Sequence, residues 1–184
     1  MSVFDNDNKT TKVKVDYKII DENKVDSLIK KLKVQKEICF DTETSSLDIQ
    51  SAKLAGIAFS CEEGKAYYVP TLSNTEEILK KLSPLFSDSN ILLIGHNLKY
   101  DIQILSKYGI LFHENVFDTM LAHYVISPEG SQKLDVLSEN YLNHKCIPIE
   151  DVIGKKVVNQ MSMIDIPVEN VYEYACEDED ITLR

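Results

Sequence analysis

The sequence predicts an α/β fold in which helices pack on a mixed β-sheet. Strand-like segments dominate the first half of the chain, and the second half is mostly helical in pattern. Hydrophobic residues make up 43% of the 184 residues, which is enough for one domain with a buried core. No stretch rich in Pro, Gly or Ser divides the chain. A single α/β domain is therefore expected.

The N-terminal part predicts a strand followed by a helix. Residues 1–12 are polar and lack periodicity, so we expect a loose segment there. Apolar and polar residues alternate over 13–20, which predicts the first strand. Asp21 can cap a helix that continues to Leu32, because apolar residues then recur at helical spacing.

Three strands and a second helix are predicted next. Apolar runs over 37–42, 53–60 and 65–69 are typical of strands. Pro70 ends the third of them, because proline lacks the N–H that a sheet needs. Residues 74–86 carry an apolar stripe at helical spacing, which predicts a helix.

The rest of the chain is predicted to contain one more strand, followed by helices only. The apolar run 91–94 predicts a short strand. Helices are predicted over 97–108, 118–126 and 134–142, around Glu150, and from Val168 to the end. Together these segments indicate a mixed sheet of about five strands covered by helices.

The acidic composition limits the ligands that the protein can bind. A formal net charge of −10 argues against a protein that coats duplex DNA, since such proteins usually present a basic face. It does not exclude one that grips the end of a strand. Cations bound at an acidic site would offset part of the charge.

The lack of a membrane-spanning or secretory segment and the cysteine usage indicate a cytoplasmic protein without a membrane partner. No apolar run approaches the length that crosses a bilayer, and the polar start lacks the pattern of a secretory signal. The four cysteines, Cys39, Cys61, Cys146 and Cys176, include no Cys-x-x-Cys pair. We expect free, mostly buried thiols and no structural zinc site.

The first candidate motif is a pair of carboxylates at the end of a strand. Asp41 and Glu43 are two residues apart, so both side chains point to one face of the sheet. Unpaired buried carboxylates are costly, so this face must reach solvent or a cation. Two oxygen donors on a rigid strand can bind one hard ion and let Asp41 bridge to a second. An ordinary polar strand end is the alternative interpretation.

The second motif follows the strand at 91–94. Asn97 begins a helix, and Asp101 lies one turn later on the same face, so an amide and a carboxylate look back over the strand ends. Asn97 as a simple helix cap and Asp101 as a surface charge are the alternatives. His96 is either a ligand or a loop histidine with a local hydrogen bond.

The third motif lies on the last helix. Tyr174 and Asp178 are spaced i, i+4 and share a face. The carboxylate can complete a metal's ligand set, and the hydroxyl can orient a water, although it is a poor base. A core tyrosine beside a surface aspartate is the alternative. Most of the surrounding acidic residues are expected on a solvated helix face: Glu169, Glu173, Glu177, Glu179 and Asp180.

In this order, Asp-x-Glu, Asn-x-x-x-Asp and Tyr-x-x-x-Asp resemble the 3′–5′ exonucleases of the DnaQ-like, four-acid superfamily in its tyrosine version. Within it, the proofreading domain of bacterial DNA polymerase I is the most similar, over 13–184. The phrases that carry the resemblance are Phe40-Asp-Thr-Glu-Thr-Ser-Ser-Leu47, His96-Asn-Leu-Lys-Tyr-Asp101, Phe117-Asp-Thr-Met-Leu-Ala122, Leu142-Asn-His-Lys145 and Tyr174-Ala-Cys-Glu-Asp178. The resemblance implies a ribonuclease H-like sheet with helices on both faces, and an exonuclease domain at 13–184 excised from a longer polymerase chain.

The resemblance also implies a site with two divalent ions, Mg²⁺ or Mn²⁺, with Zn²⁺ as an alternative at one position. Asp41, Glu43 and Asp178 would hold the ion that activates water. Asp41 and Asp101 would contact the second ion. Tyr174 and Glu43 would position the nucleophile, and Glu43 would also touch the terminal 3′ hydroxyl.

The implied substrate is the 3′ end of single-stranded DNA, bound by a monomer whose polymerase domain lies in the same chain. The expected substrate contacts are Leu47, His96, Asn97, Tyr100 and Ile149. Leu47 would wedge against the last bases, and Ile149 stands where relatives carry a stacking aromatic. Asp118 is expected to be structural. Ser131, near Lys133, stands where some relatives carry an arginine, which affects grip rather than chemistry.

Two other functions remain open at this point. An exoribonuclease of the ribonuclease D kind shares the tyrosine arrangement and would act on RNA. A catalytically silent scaffold would hold a strand end or pack on a polymerase without metal-dependent activity.

Overall fold

A mixed sheet of six strands forms the centre of the protein. This computed structural model describes residues 13–155 and 160–184, so the predicted loose segment 1–12 lies outside the described residues. The strands are β1 (Asp16–Ile19), β2 (Glu37–Thr44), β3 (Leu54–Glu62), β4 (Lys65–Pro70), β5 (Leu92–Gly95) and β6 (Val116–Asp118). Their order across the sheet is β1-β4-β3-β2-β5-β6.

Five of these strands were predicted and one was not. β6 is only three residues long and two of them are exposed, so it gives no apolar run that a sequence pattern could reveal. Strands β2, β3 and β4 pair antiparallel in succession, whereas the other three pairs are parallel. Long β2 therefore lies inside the sheet, where its end is surrounded by other elements.

Seven α-helices cover the sheet in the described ranges. They are α1 (Val25–Leu32), α2 (Thr75–Phe86), α3 (Leu98–Ser106), α4 (Thr119–Ile126), α5 (Leu134–Leu137), α6 (Ile149–Ile153) and α7 (Val168–Leu183). The predicted helix over 134–142 divides into α5 and a π-helical turn, Ser138–Leu142. The predicted cap at Asp21 is wrong, because a 3-10 turn precedes α1 and the Asp21 side chain makes no capping hydrogen bond.

The two faces of the sheet are packed differently. On one face α1, α2 and α3 enclose a large core that includes Leu32, Phe40 and Phe86. On the other face α7 packs on small residues, with Ala175 and Cys176 against Ala58 and Ala66. Small side chains let the helix approach the sheet closely. Helices on both faces, as predicted, bring the polar residues of α7 over the end of β2.

The segment from β6 to α6 contributes few buried side chains to this core. Helices α4, α5 and α6 contain no buried residue, and Val125 and Ile126 of α4 are largely exposed. The four cysteines are free, with two buried and two half-buried. Within residues 13–155 and 160–184, no helix has the length and apolar character that a membrane crossing requires.

Candidate active site

Asp41 and Glu43 lie at the end of β2 on the face covered by α7. They pair with Ala58 and Gly56 of β3 across the antiparallel ladder. Gly56 is needed here, since a Cβ at this position would lie 2.3 Å from the Tyr68 hydroxyl oxygen. The buried Tyr68 ring therefore fills the space beside Glu43. The two carboxylates sit on a rigid strand within a closely packed wall, as the first motif predicted.

Asp101 reaches the same strand end from helix α3. Its side chain is 1% exposed, and its Oδ1 accepts hydrogen bonds from the backbone N–H of Thr42 at 3.0 Å and from the Thr42 hydroxyl at 2.6 Å. These bonds place Asp101 beside the strand, between the two acids of β2. It is not a surface charge.

Tyr174 and Asp178 complete the pocket from α7. Burial raises the pKa of the Tyr174 hydroxyl, and the negative charges of Asp178 and Glu43 raise it further. The hydroxyl lies close to the Asp178 carboxylate. Tyr174 is therefore neutral in the pocket, where it can orient a water but cannot remove its proton.

Burial raises the pKa values of all four acids. Burial raises the pKa of Asp41 well above its usual range, and the charges of Asp101 and Glu43 raise it further. Burial and the charges of Asp178 and Asp101 raise the pKa of Glu43 to about 8. The pKa of Asp101 rises to about 6 and that of Asp178 to about 7, in both cases mainly through burial. Bound cations would therefore stabilise the ionised form of these carboxyl groups.

The pocket fits divalent cations by its unused oxygen atoms. Glu43 Oε1 is buried and has no hydrogen-bond partner among the described residues. A buried carboxylate oxygen without a donor is costly unless a ligand satisfies it. Within residues 13–155 and 160–184, no three of these acids bring carboxylate oxygens within 4.8 Å of one another. The acids are therefore not drawn into one tight cluster, and oxygen donors suit Mg²⁺ or Mn²⁺.

Two of the predicted substrate residues offer exposed apolar surface. Leu47, just beyond β2, is 89% exposed, and Ile149, the first residue of α6, is 38% exposed. Leu47 follows directly from the strand that carries Asp41 and Glu43. Both side chains are thus free to meet a base, and their roles stay predictions.

Asn97 is held in an unusual backbone conformation by Asp118. Its φ of 70° is left-handed, and its side chain makes no capping hydrogen bond, so the simple-cap interpretation does not hold. The Asp118 carboxylate accepts instead from the backbone N–H groups of Asn97 at 3.1 Å and Leu98 at 2.9 Å. It also caps α4 through Met120 and Leu121, which agrees with its predicted structural role. The Asn97 amide thereby remains free of a capping role.

His96 and Tyr100 are both tied to the protein by their polar atoms. His96 Nδ1 bonds Thr119 Oγ1 at 2.9 Å, and Nε2 bonds the Gln132 carbonyl at 2.8 Å. No ring nitrogen is left for a strand, so the prediction that His96 binds substrate is not supported and a local structural role replaces it. The Tyr100 hydroxyl bonds the Ser46 carbonyl at 2.7 Å, which leaves only the ring to line a strand path.

Three acids of α7 were wrongly expected on a solvated face. Glu177, Glu179 and Asp180 are buried, whereas Glu169 and Glu173 are exposed as expected. The sequence contains no signal for this burial. Four acids follow one another in the C-terminal half of α7, and the burial of three of them depends on contacts with distant segments.

Comparisons with known proteins identify a family that matches most of this chain. A family model described as 3′-5′ exonuclease matches residues 17–184. DNA polymerase I of Pseudomonas aeruginosa is 36% identical over 183 residues, covering 92% of this chain and 20% of the relative. DNA polymerase I of Borreliella burgdorferi is 42% identical over 166 residues, covering 87% of this chain and 18% of the relative. The chain spans about a fifth of the length of these curated relatives.

Solved structures with the same architecture are more distant in sequence. Ribonuclease D of Trypanosoma brucei, in complex with RNA, superposes with a TM-score of 0.77 at 17% identity, covering 92% of this chain and 61% of that one. Escherichia coli ribonuclease D gives 0.72 at 17% identity, covering 92% and 43%. The predicted ribonuclease H-like mixed sheet with helices on both faces is therefore confirmed.

Proposed function

The chain belongs to the 3′-5′ exonuclease family, and from this we propose that it removes nucleotides one at a time from the 3′ end of single-stranded DNA. The observation that carries the proposal is the convergence of Asp41, Glu43, Asp101 and Asp178 on one pocket at the end of β2. Hydrolysis of a phosphodiester at such a site is a common use of clustered carboxylates.

The proposed site holds two divalent ions, and membership of this exonuclease family implies divalent metal in general. Asp41, Glu43 and Asp178 would hold one ion, and Asp41 together with Asp101 the other. Such ions supply Lewis acidity, which activates water and offsets charge on the phosphodiester. Mg²⁺ or Mn²⁺ is proposed at both positions, with Zn²⁺ as an alternative at one.

The protein's own residues would orient the reactants. Tyr174 is neutral, so its hydroxyl would hold the attacking water by a hydrogen bond, beside the Asp178 carboxylate. Glu43 has an unused oxygen that can position the water or the terminal 3′ hydroxyl. Precise orientation of this kind lowers the barrier because less freedom is lost in the transition state.

The strand would approach over the end of β2. Leu47 offers an exposed apolar side chain for the terminal bases, and Ile149, Asn97 and the ring of Tyr100 would line the path. We propose a cytoplasmic monomeric domain, at 13–184, that works beside a polymerase domain of the same polypeptide and proofreads for it. The names and lengths of its relatives support this proposal.

Digestion of a single-stranded oligonucleotide labelled at its 5′ end tests the proposal. The expected product is a ladder that shortens from the 3′ end, requires Mg²⁺ or Mn²⁺ and stops when the ions are chelated. Asp41→Ala should abolish the ladder while the circular dichroism spectrum stays unchanged. Wild-type digestion rates in the Asp41→Ala variant would overturn the assignment.

A second candidate is an exoribonuclease, which is favoured by the likeness to ribonuclease D. That likeness shows only the fold, but it makes an RNA control necessary. Parallel digestion of DNA and RNA of one sequence decides between the two, because proteins distinguish them through the 2′ hydroxyl. Faster loss of RNA would favour the exoribonuclease. A folded protein that digests neither, with any ion, would be the silent scaffold.

A further inference from the structure

A second group of ligand-type side chains lies beside the four-acid pocket. His144, Cys146 and Glu177 each offer one atom, and these three atoms lie within 4.8 Å of one another. His144 and Cys146 belong to the loop after the π-helical turn, and Glu177 belongs to α7. In the described residues this is the only trio of His, Cys, Asp or Glu that meets this spacing. The predicted function gives these residues no role.

The loop that carries His144 and Cys146 is held in place through its backbone N–H and C=O groups. The Ser138 hydroxyl donates to the His144 carbonyl at 2.8 Å, and the His144 N–H donates to the Ser138 carbonyl at 3.2 Å. The N–H of Ile147 donates to Glu177 Oε2 at 2.5 Å, which anchors the loop on α7. The other carboxylate oxygen, Oε1, accepts only from His144 Nε2, at 2.9 Å.

We propose that His144, Cys146 and Glu177 bind one zinc-like divalent ion at a site separate from the four-acid pocket. Imidazole, thiolate and carboxylate are the three side-chain ligand types of zinc sites, and three protein ligands leave one tetrahedral position open. The soft sulfur selects against Mg²⁺, which prefers oxygen. On binding, the ion takes the place of the proton between His144 Nε2 and Glu177 Oε1. That proton and the thiol proton pass to solvent, and the neutral imidazole carries its ring proton on Nδ1.

The surroundings of the three atoms favour a cation. Glu177 is only 8% exposed, and Cys146 is half-buried. Burial, together with the negative charges of Asp178, Glu177 and Asp135, raises the pKa of the Cys146 thiol to about 11. The same negative charges attract a positive ion. A cavity of about 810 Å³, lined in part by His144 and Glu177, gives an ion a route from solvent.

The position of the site connects it to the proposed chemistry. Glu177 is followed directly by Asp178, so each of the two sites has one ligand on the same turn of α7. An ion at the second site would therefore stiffen the turn that carries Asp178. The proposal itself does not depend on exonuclease activity, because ion binding can be measured without a nucleic acid.

Titration with Co²⁺ in the presence of excess Mg²⁺ tests the proposal. Co²⁺ takes zinc positions and reports its ligands by absorption. We expect one equivalent to give a thiolate-to-cobalt charge-transfer band and the visible d–d bands of tetrahedral cobalt, both abolished by added Zn²⁺. Cys146→Ser should remove the charge-transfer band, and His144→Gln should weaken Co²⁺ binding by at least about tenfold, as expected for loss of one ligand.

Two controls make the result specific. Cys61→Ser removes the other half-buried thiol and should leave the spectrum unchanged. Asp41→Ala disables the four-acid pocket and should also leave the thiolate band in place, so failure of the proposed nuclease function is distinguishable from failure of this site. The proposal is overturned if wild-type protein shows no thiolate band, or if the band survives in folded Cys146→Ser. Unchanged Co²⁺ affinity in His144→Gln would overturn the three-residue ligand set.

Discussion

Two aspartates of helix α7, only two residues apart, have opposite surroundings. Asp180 is fully buried and accepts hydrogen bonds from the Tyr17 hydroxyl at 2.9 Å and the Gly64 N–H at 2.6 Å. The Arg184 guanidinium lies 3.7 Å from it. Asp178 lies in the four-acid pocket, beside the Tyr174 hydroxyl. One carboxylate is satisfied by the protein and the other is not.

The supply of hydrogen-bond donors separates these two aspartates of α7. A buried carboxylate supplied with several donors connects segments of the fold, as Asp180 connects α7 to β1 and to the turn before β4. A buried carboxylate oxygen without a donor destabilises the protein until a ligand satisfies it. Glu43, in the group that we assign to metal, has such an oxygen within the described residues.

The largest expected effect is the loss of activity in Asp178→Ala. Removing a metal ligand should cost about 4 kcal/mol of transition-state stabilisation and lower the exonuclease rate about 10³-fold. The unfolding free energy in metal-free buffer should not fall, because a repulsive charge is removed. Single-turnover digestion and thermal unfolding measure the two quantities. A stable variant with wild-type activity would contradict the assignment of Asp178.

The matched change at Asp180→Ala should do the reverse. It leaves the buried Gly64 N–H and the half-buried Tyr17 hydroxyl without their acceptor, and it removes one of the two carboxylates beside Arg184, which together should cost about 3 kcal/mol of stability. For a chain of this size the melting temperature should fall by about 6 to 12 °C. Below that transition the exonuclease rate should stay near wild type. Equal losses of activity in both variants would remove the contrast between the two aspartates.

The metal-free pocket should make stability depend on pH. Folding raises the pKa of Glu43 to about 8 and of Asp178 to about 7, so the folded protein holds these protons more tightly than the unfolded chain. This contribution is fully present below about pH 4 and is lost as the pH rises through about 8.

Denaturation midpoints measured in chelator at about pH 5 and pH 9 test this dependence. The midpoint should be lower at the higher pH, and Mg²⁺ should reduce the difference. Glu43→Gln provides the control, since its profile should be flatter. A wild-type midpoint that rises with pH would show that the acids do not share a repulsive pocket.

Tyr174→Phe should have a smaller effect on activity. The hydroxyl contributes one hydrogen bond to the water, worth about 1.4 kcal/mol, so the rate should fall about tenfold while metal binding is kept. Because the neutral hydroxyl is not the base, the pH dependence of the rate should keep its shape. A changed profile would indicate that Tyr174 takes part in proton transfer.

The smallest expected effect is that of Leu47→Ala. The side chain is 89% exposed, so its loss should leave stability unchanged and weaken only contacts to the strand. We expect KM to rise about threefold to tenfold with little change in kcat, as befits about 1 kcal/mol of apolar contact. Val34→Ala, at another largely exposed apolar residue, is the control and should change neither value.

Much of the fold could be predicted because it depends on local patterns. The apolar runs of β2, β3 and β5 and the stripes of α2 and α3 appear in the sequence with boundaries off by one or two residues. Strand β6 could not be predicted, since three half-exposed residues form a strand only because β5 offers them a parallel partner. The site residues of β2 and α7 could be predicted because their spacing alone shows that they share one face of a strand or one face of a helix.

The sequence by itself determined which carboxylates share a face of a strand or helix, because that depends only on the period of each element. Only the tertiary structure decided which of them receive donors. Asp101 meets Thr42 and Asp180 meets Gly64 at sequence separations of 59 and 116 residues, and His144 meets Glu177 at a separation of 33. Hydrogen-bond partners come from segments far apart in the chain, so no local pattern can tell a satisfied carboxylate from one left open for a ligand.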